Sequence, residues 1–206
     1  MKKFICIMLT VLLTLSLFAG CGTKKDDGVL RIAIIQQLDH SSLDEIRLAA
    51  QAEIDRIAAE KARKTAEALS NVLDDADQAV QLETYPNDSG MVTAVYESEI
   101  GYAIQVEPTG FGGTITMMVG VDKDGNILGV SVVSHSETAG LGAVAGDKTS
   151  KGDAFRSQYE GLSGELAVEK DGGVIDEISG ATITSRAVTE GVNAAIGCAV
   201  TLAAQG

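Results

Sequence analysis

The chain contains no Trp, four Phe and four Tyr, so its core is aliphatic. Hydrophobic residues still make up 45% of the 206 present, enough to bury one domain with appendages or two small ones. Positive charge is also scarce: 16 Lys and Arg stand against 29 Asp and Glu, for a formal net charge of −13. Nucleic-acid binding depends on neutralising phosphates, so this exterior excludes nucleic acid as a partner. It also excludes a polybasic face laid on anionic lipid. There are three cysteines, Cys6, Cys21 and Cys198, with no C-x-x-C pair, and two histidines that do not cluster. No zinc or iron–sulfur ligand set follows from that spacing, and no metal is expected. Cys198 sits among Ala, Gly and Val, the setting of a small core residue rather than a reactive thiol. A G-x-S-x-G nucleophile elbow is absent too.

What is present begins with an export signal. Lys2-Lys3 precede an apolar run from Phe4 to Phe18, followed by Ala19-Gly20-Cys21. The run is short for a spanning helix and has the form of a secretory signal over residues 1–21. Small residues before a Cys resemble the lipobox of bacterial lipoproteins, in which Cys21 would be lipidated; ordinary cleavage or an uncleaved anchor helix are the alternatives. Residues 22–28 are polar and suit a tether to a membrane anchor. With lipid on Cys21 and Cys6 removed, one thiol remains and no internal disulfide forms.

Residues 29–80 read as a strand and a long helix. Val29–Ile35 is the strand, and Ser42-Leu43-Asp44-Glu45 has the form of a capping box. Leu43, Ile46, Ala50, Ile54, Ile57, Ala58, Ala62, Ala66, Leu69 and Leu73 then recur mostly on one helical face, with charges opposite. That face suits a partner or simple packing. Leu30–Gln37 with Asp39-His40 also resembles the first strand and helix of ABC-type solute-binding proteins, over about 15 residues; the two-lobed body of such a protein does not fit in the remainder.

From Val92 the period changes to two. Val92–Glu97 and Tyr102–Glu107 flank Ile100-Gly101, and Thr114–Val121 and Ile127–Val133 flank Asp124-Gly125-Asn126, giving two hairpins. Ala154–Tyr159 reads as a short helix, Leu166–Val168 as a possible strand and residues 183–204 as a closing helix. The fold class is α+β: an antiparallel meander packed against a C-terminal helix, with a long N-terminal amphipathic helix.

Two stretches carry candidate chemistry. In Asp176–Arg186, Ser179, Gly180, Ala181, Thr182 and Thr184 run from a loop into the last helix. Helix N-termini have free N–H groups and a favourable dipole for phosphate, with Thr184 and Ser185 as further donors; equally, Thr182 or Thr184 could simply cap the helix. The second stretch, Ser134–Ala143, leaves the fourth strand with His135, Glu137, Thr138, Leu141 and Gly142. His135 beside Glu137 could suggest acid–base chemistry, with a solvated loop as the alternative.

Gly110-Phe111-Gly112-Gly113-Thr114-Ile115-Thr116, Ser134–Gly142 and Asp176–Thr182 occur in the order found in the FMN-binding domain family, which residues 81–206 resemble. The form is most like the G subunit of Rnf-type ion-translocating ferredoxin:NAD oxidoreductases, and is similar to the C subunit of sodium-pumping NADH:quinone reductases. The resemblance implies FMN held by a phosphoester on Thr182, attached by a flavin transferase that recognises Asp176. It implies that the Ser134–Gly142 loop lines the flavin, with Leu141 against the ring. It further implies an electron carrier among the membrane subunits of an Rnf-type complex, on the extracytoplasmic side of the cell membrane. A stand-alone flavinylated lipoprotein relaying electrons is the alternative. The chain departs from the family in having Ala139 where Pro is frequent. It departs again in a lipoprotein-like N-terminus where the Rnf relatives usually have a spanning helix.

Overall fold

A computed structural model describes residues 41–205. The signal segment, Cys21, the tether and the expected strand Val29–Ile35 lie outside them. The chain divides into two compact units, Met1–Ile54 and Asp55–Gly206. In the first, the described residues are the opening turns of helix α1 (Ser41–Ser70), where Ile46 and Leu48 are exposed. Everything that follows belongs to the second.

Five strands form one sheet in the order of the sequence: β1 Val80–Gln81, β2 Val92–Glu97, β3 Gly101–Val106, β4 Thr116–Asp122 and β5 Ile127–Ser134. All pairings are antiparallel. The meander expected from period-two alternation is therefore present, extended by a two-residue edge strand too short for any periodic signal. Gly125, at φ 88°, supplies the left-handed residue of the β4–β5 turn. The possible strand at Leu166–Val168 reduces to a single parallel bridge from Val168 to Ile175.

Helix α2 (Ser150–Ser157) and helix α3 (Thr182–Ala203) complete the domain. Along α3, Ala187, Val188, Val192, Ala195, Ile196 and Ala199 are buried against Tyr102, Ile104, Val106, Met117 and Val119. Each fully buried aliphatic side chain of this kind contributes roughly 1.5–3 kcal/mol, so the helix is held firmly to the sheet. A Cβ on Gly191 would lie 2.9 Å from Pro108 Cγ and 3.2 Å from Val106 Cγ2, so glycine permits that approach.

β3 is buried along its whole length because the opposite face of the sheet is covered as well. Ala68, Val72 and Leu73, at and just beyond the end of α1, pack on Ala103 and Met118. Among the described residues of α1 only Ala68, in the last turn, is buried; Ile57 stays exposed. No helix among the described residues is long and apolar enough to cross a membrane.

The register decides where the loops emerge. Val106 pairs with Met117, and Thr116 with Ser134, so the end of β3, the start of β4 and the end of β5 share one edge. The 107–115 loop and the loop after Ser134 leave from that edge. Pro108 in the first packs on α3 at Gly191, three turns or less from the helix start.

Candidate functional site

The sequence Asp176–Thr182 makes a compact turn before α3. Gly180 takes φ 75°, and the Ala181 N–H donates to Ile178 O at 2.9 Å. Ser185 locks this turn from within the helix: its Oγ accepts from Ile178 N–H and donates to Ala181 O, both at 3.0 Å. Asp176 is held through its backbone, its N–H donating to Gln158 Oε1 at 2.8 Å, while the residue itself is exposed.

Ala181 occupies the cap position of α3, and no side chain caps the helix. Neither Thr182 nor Thr184 therefore acts as a cap. Thr182 is the first helical residue, partly exposed, and its Oγ1 accepts a hydrogen bond from Lys170 Nζ at 2.7 Å. Thr184 is 1% exposed and donates sideways to Glu137 Oε2. The hydroxyls of Thr184 and Ser185 are thus committed to the scaffold rather than offered to a ligand. The first-turn N–H groups have no partner within the helix, which leaves a positive end beside Thr182.

Glu137 joins all three of the sequence stretches. Its residue is buried, Oε2 accepts from Thr184, and Oε1 accepts from the Gly112 N–H at 2.8 Å. The surrounding glycines make room for the carboxylate. A Cβ on Gly110 would stand 2.4 Å from Glu137 Oε1, and one on Gly142 would stand 2.5 Å from Glu137 Oε2 and from Thr184 Oγ1. The loop is braced from behind by Arg156 on α2, which donates to Ala145 O at 2.7 Å.

These elements enclose a cavity of about 330 Å³ lined by Glu137, Thr138, Leu141, Gly142, Gly180, Ala181, Thr182, Thr184, Phe111 and Ile183. Ligand clefts run from roughly 300 to 1,000 Å³, so it lies at the small end of that range. Phe111, Leu141 and Ile183 stay 68%, 42% and 52% exposed, which in so apolar a set marks a surface built to be covered. The site therefore offers a polar end at Thr182 and a mostly apolar remainder.

Of the residues singled out from the sequence, His135 and Ser179 do not line this cavity. His135 Nδ1 accepts from the Glu137 N–H at 3.2 Å, and the residue faces a separate cleft with Arg63, Lys64, Glu67 and Lys148. The Glu137 carboxylate bonds Gly112 and Thr184 instead of the imidazole, so His135 and Glu137 do not form an acid–base pair. Among the described residues no metal-holding cluster occurs. Sequence reasoning missed Phe111, Ile183 and Lys170 as site residues. Phe111 carries a signal, an aromatic inside a glycine-rich loop of a chain poor in aromatics. Lys170 carries none, because a single Lys in a loop has no pattern.

Residues 110–197, which span all three stretches, match the FMN-binding domain family. That region of the chain is similar to an FMN-binding domain. Over 101 residues it is 43% identical to the G subunit of the proton-translocating ferredoxin:NAD(+) oxidoreductase complex of Clostridium ljungdahlii, covering 47% of this chain and 52% of that one. Over 120 residues it is 39% identical to the G subunit of the ion-translocating oxidoreductase complex of Stutzerimonas stutzeri, covering 54% and 47%. Over 84 residues it is 46% identical to the protein of that name in Haemophilus influenzae, covering 39% and 41%. The chain spans about half the length of the curated relatives it matches. The matched residues include those lining the cavity, the carboxylate hub at Glu137 and the uncapped start of α3.

Proposed function

We infer that Thr182 carries FMN through a phosphoester and that the protein is an electron-transfer component of a membrane-bound Rnf-type ion-translocating oxidoreductase complex. The observation that carries this is the setting of Thr182 Oγ1. It is a partly exposed hydroxyl at an uncapped helix N-terminus, 2.7 Å from an ammonium, on the wall of an apolar cavity.

The residues fit the cofactor part by part. The free first-turn N–H groups of α3 and Lys170 suit the phosphate. Phe111, Leu141 and Ile183 suit a flat ring that remains partly open to a redox partner. When bound, FMN supplies the redox chemistry, and the protein supplies position and electrostatics. Glu137 keeps the three loops at one spacing, and Ser185 keeps the turn before Thr182 in one shape. Gly180 admits Leu141, whose Cδ2 would lie 3.1 Å from a Cβ there.

Attachment from FAD, as the family resemblance implies, forms the Thr182 Oγ1–P bond and breaks the diphosphate P–O–P bond. AMP leaves, and the hydroxyl proton is lost to solvent. Asp176, exposed and bonded through its backbone to Gln158, is the proposed recognition residue for the flavin transferase. The complex's other membrane subunits are the proposed partners. A lipid on Cys21 would hold the domain at the extracytoplasmic face of the cell membrane.

Intact mass of the chain co-expressed with a flavin transferase tests the reading. The expected result is a gain of one FMN less one water, absent in Thr182→Ala and present in Thr182→Ser. An unmodified wild-type chain beside an active transferase refutes it. The lipobox-like Ala19-Gly20-Cys21 favours a second reading, a stand-alone flavinylated lipoprotein relaying electrons outside the cytoplasmic membrane. Co-purification separates the two: membrane subunits recovered with the tagged chain support the complex.

A further inference from the structure

The turn Glu169–Asp171 is fastened over the start of α3 at several points. Val168 bridges Ile175, and the Glu169 N–H donates to Ile175 O at 2.9 Å. The chain reverses at Gly172, φ 85°, and at Gly173, where a Cβ would meet Ala167 O at 1.9 Å. Asp171 takes Arg186 of α3 in a two-pronged pair, with Nε and Nη2 each 2.6 Å from a carboxylate oxygen. Glu177, itself inside the Asp176–Thr182 stretch, accepts from the Lys170 N–H at 3.3 Å and lies 3.9 Å from its ammonium. These contacts deliver Lys170 Nζ to Thr182 Oγ1 at 2.7 Å. Arg186, the other cation near the start of the helix, is already taken by Asp171.

Resting on the flavin-ester reading above, we propose that Lys170 is a positioning residue for esterification of Thr182: it orients the hydroxyl and pairs with the phosphoryl charge as the ester forms. An ammonium bonded to Oγ1 leaves the hydroxyl proton free to depart and directs an oxygen lone pair outward. It also sits within reach of the nonbridging oxygens of a phosphoryl group joined to Oγ1, so its pairing with that negative charge is made as the ester forms. An ammonium has no lone pair, so Lys170 is not the base; the proton goes to solvent as the Oγ1–P bond forms and AMP leaves with the electrons of the broken P–O bond. After attachment the same ammonium faces the anionic phosphodiester, together with the free N–H groups of α3.

The experiment follows the rate of adduct formation by intact mass, with purified chain, FAD and transferase, for wild type, Lys170→Ala and Lys170→Arg. Lys170 is 60% exposed, so both variants are expected to keep the wild-type melting temperature. A charge-assisted bond, discounted for solvent screening, predicts that Lys170→Ala lowers kcat for flavinylation about tenfold with KM for the acceptor chain unchanged. Lys170→Arg should recover most of that loss, since it restores charge and donors. A wild-type kcat in Lys170→Ala overturns the proposal and leaves the ester reading standing. A rise in KM alone also overturns it, assigning Lys170 to docking of the transferase. No adduct on wild type removes the ester and the role of Lys170 together.

Discussion

Replacing Glu137 tests whether one carboxylate holds the site together. In Glu137→Ala the Gly112 N–H and the Thr184 hydroxyl both lose their acceptor, and Thr184 is 1% exposed, so water cannot readily replace it. Bonds to charged groups contribute roughly 1.5–3 kcal/mol each, and the two share one side chain, so a loss of about 3 kcal/mol is expected rather than the full sum. That corresponds to a fall in Tm of roughly 6–12 °C for a domain of this size. Glu137→Gln keeps one acceptor, and the Thr184 hydroxyl can turn to accept from the amide, so about 1 kcal/mol is expected. Urea unfolding of wild type, Glu137→Ala, Thr184→Val and the double variant closes a cycle with a coupling energy of about 1.5–3 kcal/mol. Glu137→Ala within about 0.5 kcal/mol of wild type, or a coupling near zero, refutes the carboxylate as the joint between the loops.

Gly142→Ala places a Cβ 2.5 Å from both Glu137 Oε2 and Thr184 Oγ1, and overpacking of that kind costs about 1–3 kcal/mol, so its urea midpoint should fall; an unchanged midpoint contradicts the packing described. At alkaline pH the domain should weaken through two buried groups. Burial pushes Tyr159 up to about 12, against the opposing hydrogen bond with Thr189, and burial with the Asp88 charge pushes Cys198 up to about 11. Below their unfolded pKa values both are protonated in both states, and their contribution is fully present. As pH rises past about 9 for Cys198 and 10 for Tyr159, the unfolded chain sheds these protons first, so stability falls by up to about 1.4 kcal/mol per pH unit per group. Unfolding free energies measured from pH 8 to 12 should fall less steeply above pH 10 in Tyr159→Phe than in wild type, and equal slopes would contradict the shift.

Much of this was legible in the sequence, because it depends on residues a few places apart. Alternation over six or seven residues gives the strands, Asp124-Gly125 gives the β4–β5 turn, and small apolar residues at helical spacing give α3. The start of α3 at Thr182, with Gly180 before it, is equally local, which is why the candidate phosphate seat could be named from the chain alone. The family resemblance added the cofactor. Tertiary structure decided the rest, because the decisive contacts join distant residues. Gly112 and Glu137 are 25 residues apart and Glu137 and Thr184 are 47, and no local period encodes either pairing. The antiparallel register brings the ends of β3 and β5 to one edge, and packing of α3 through Gly191 brings its first turn there. The same arrangement turned Thr184 from a possible cap into a donor to Glu137, and turned His135 toward another cleft. Lys170 reached Thr182 because a glycine turn folds it back over the helix, and Ala68, Val72 and Leu73 covered the second face of the sheet. Local sequence determined the elements and the place of the Thr182 hydroxyl at a helix start; long-range packing determined what surrounds it.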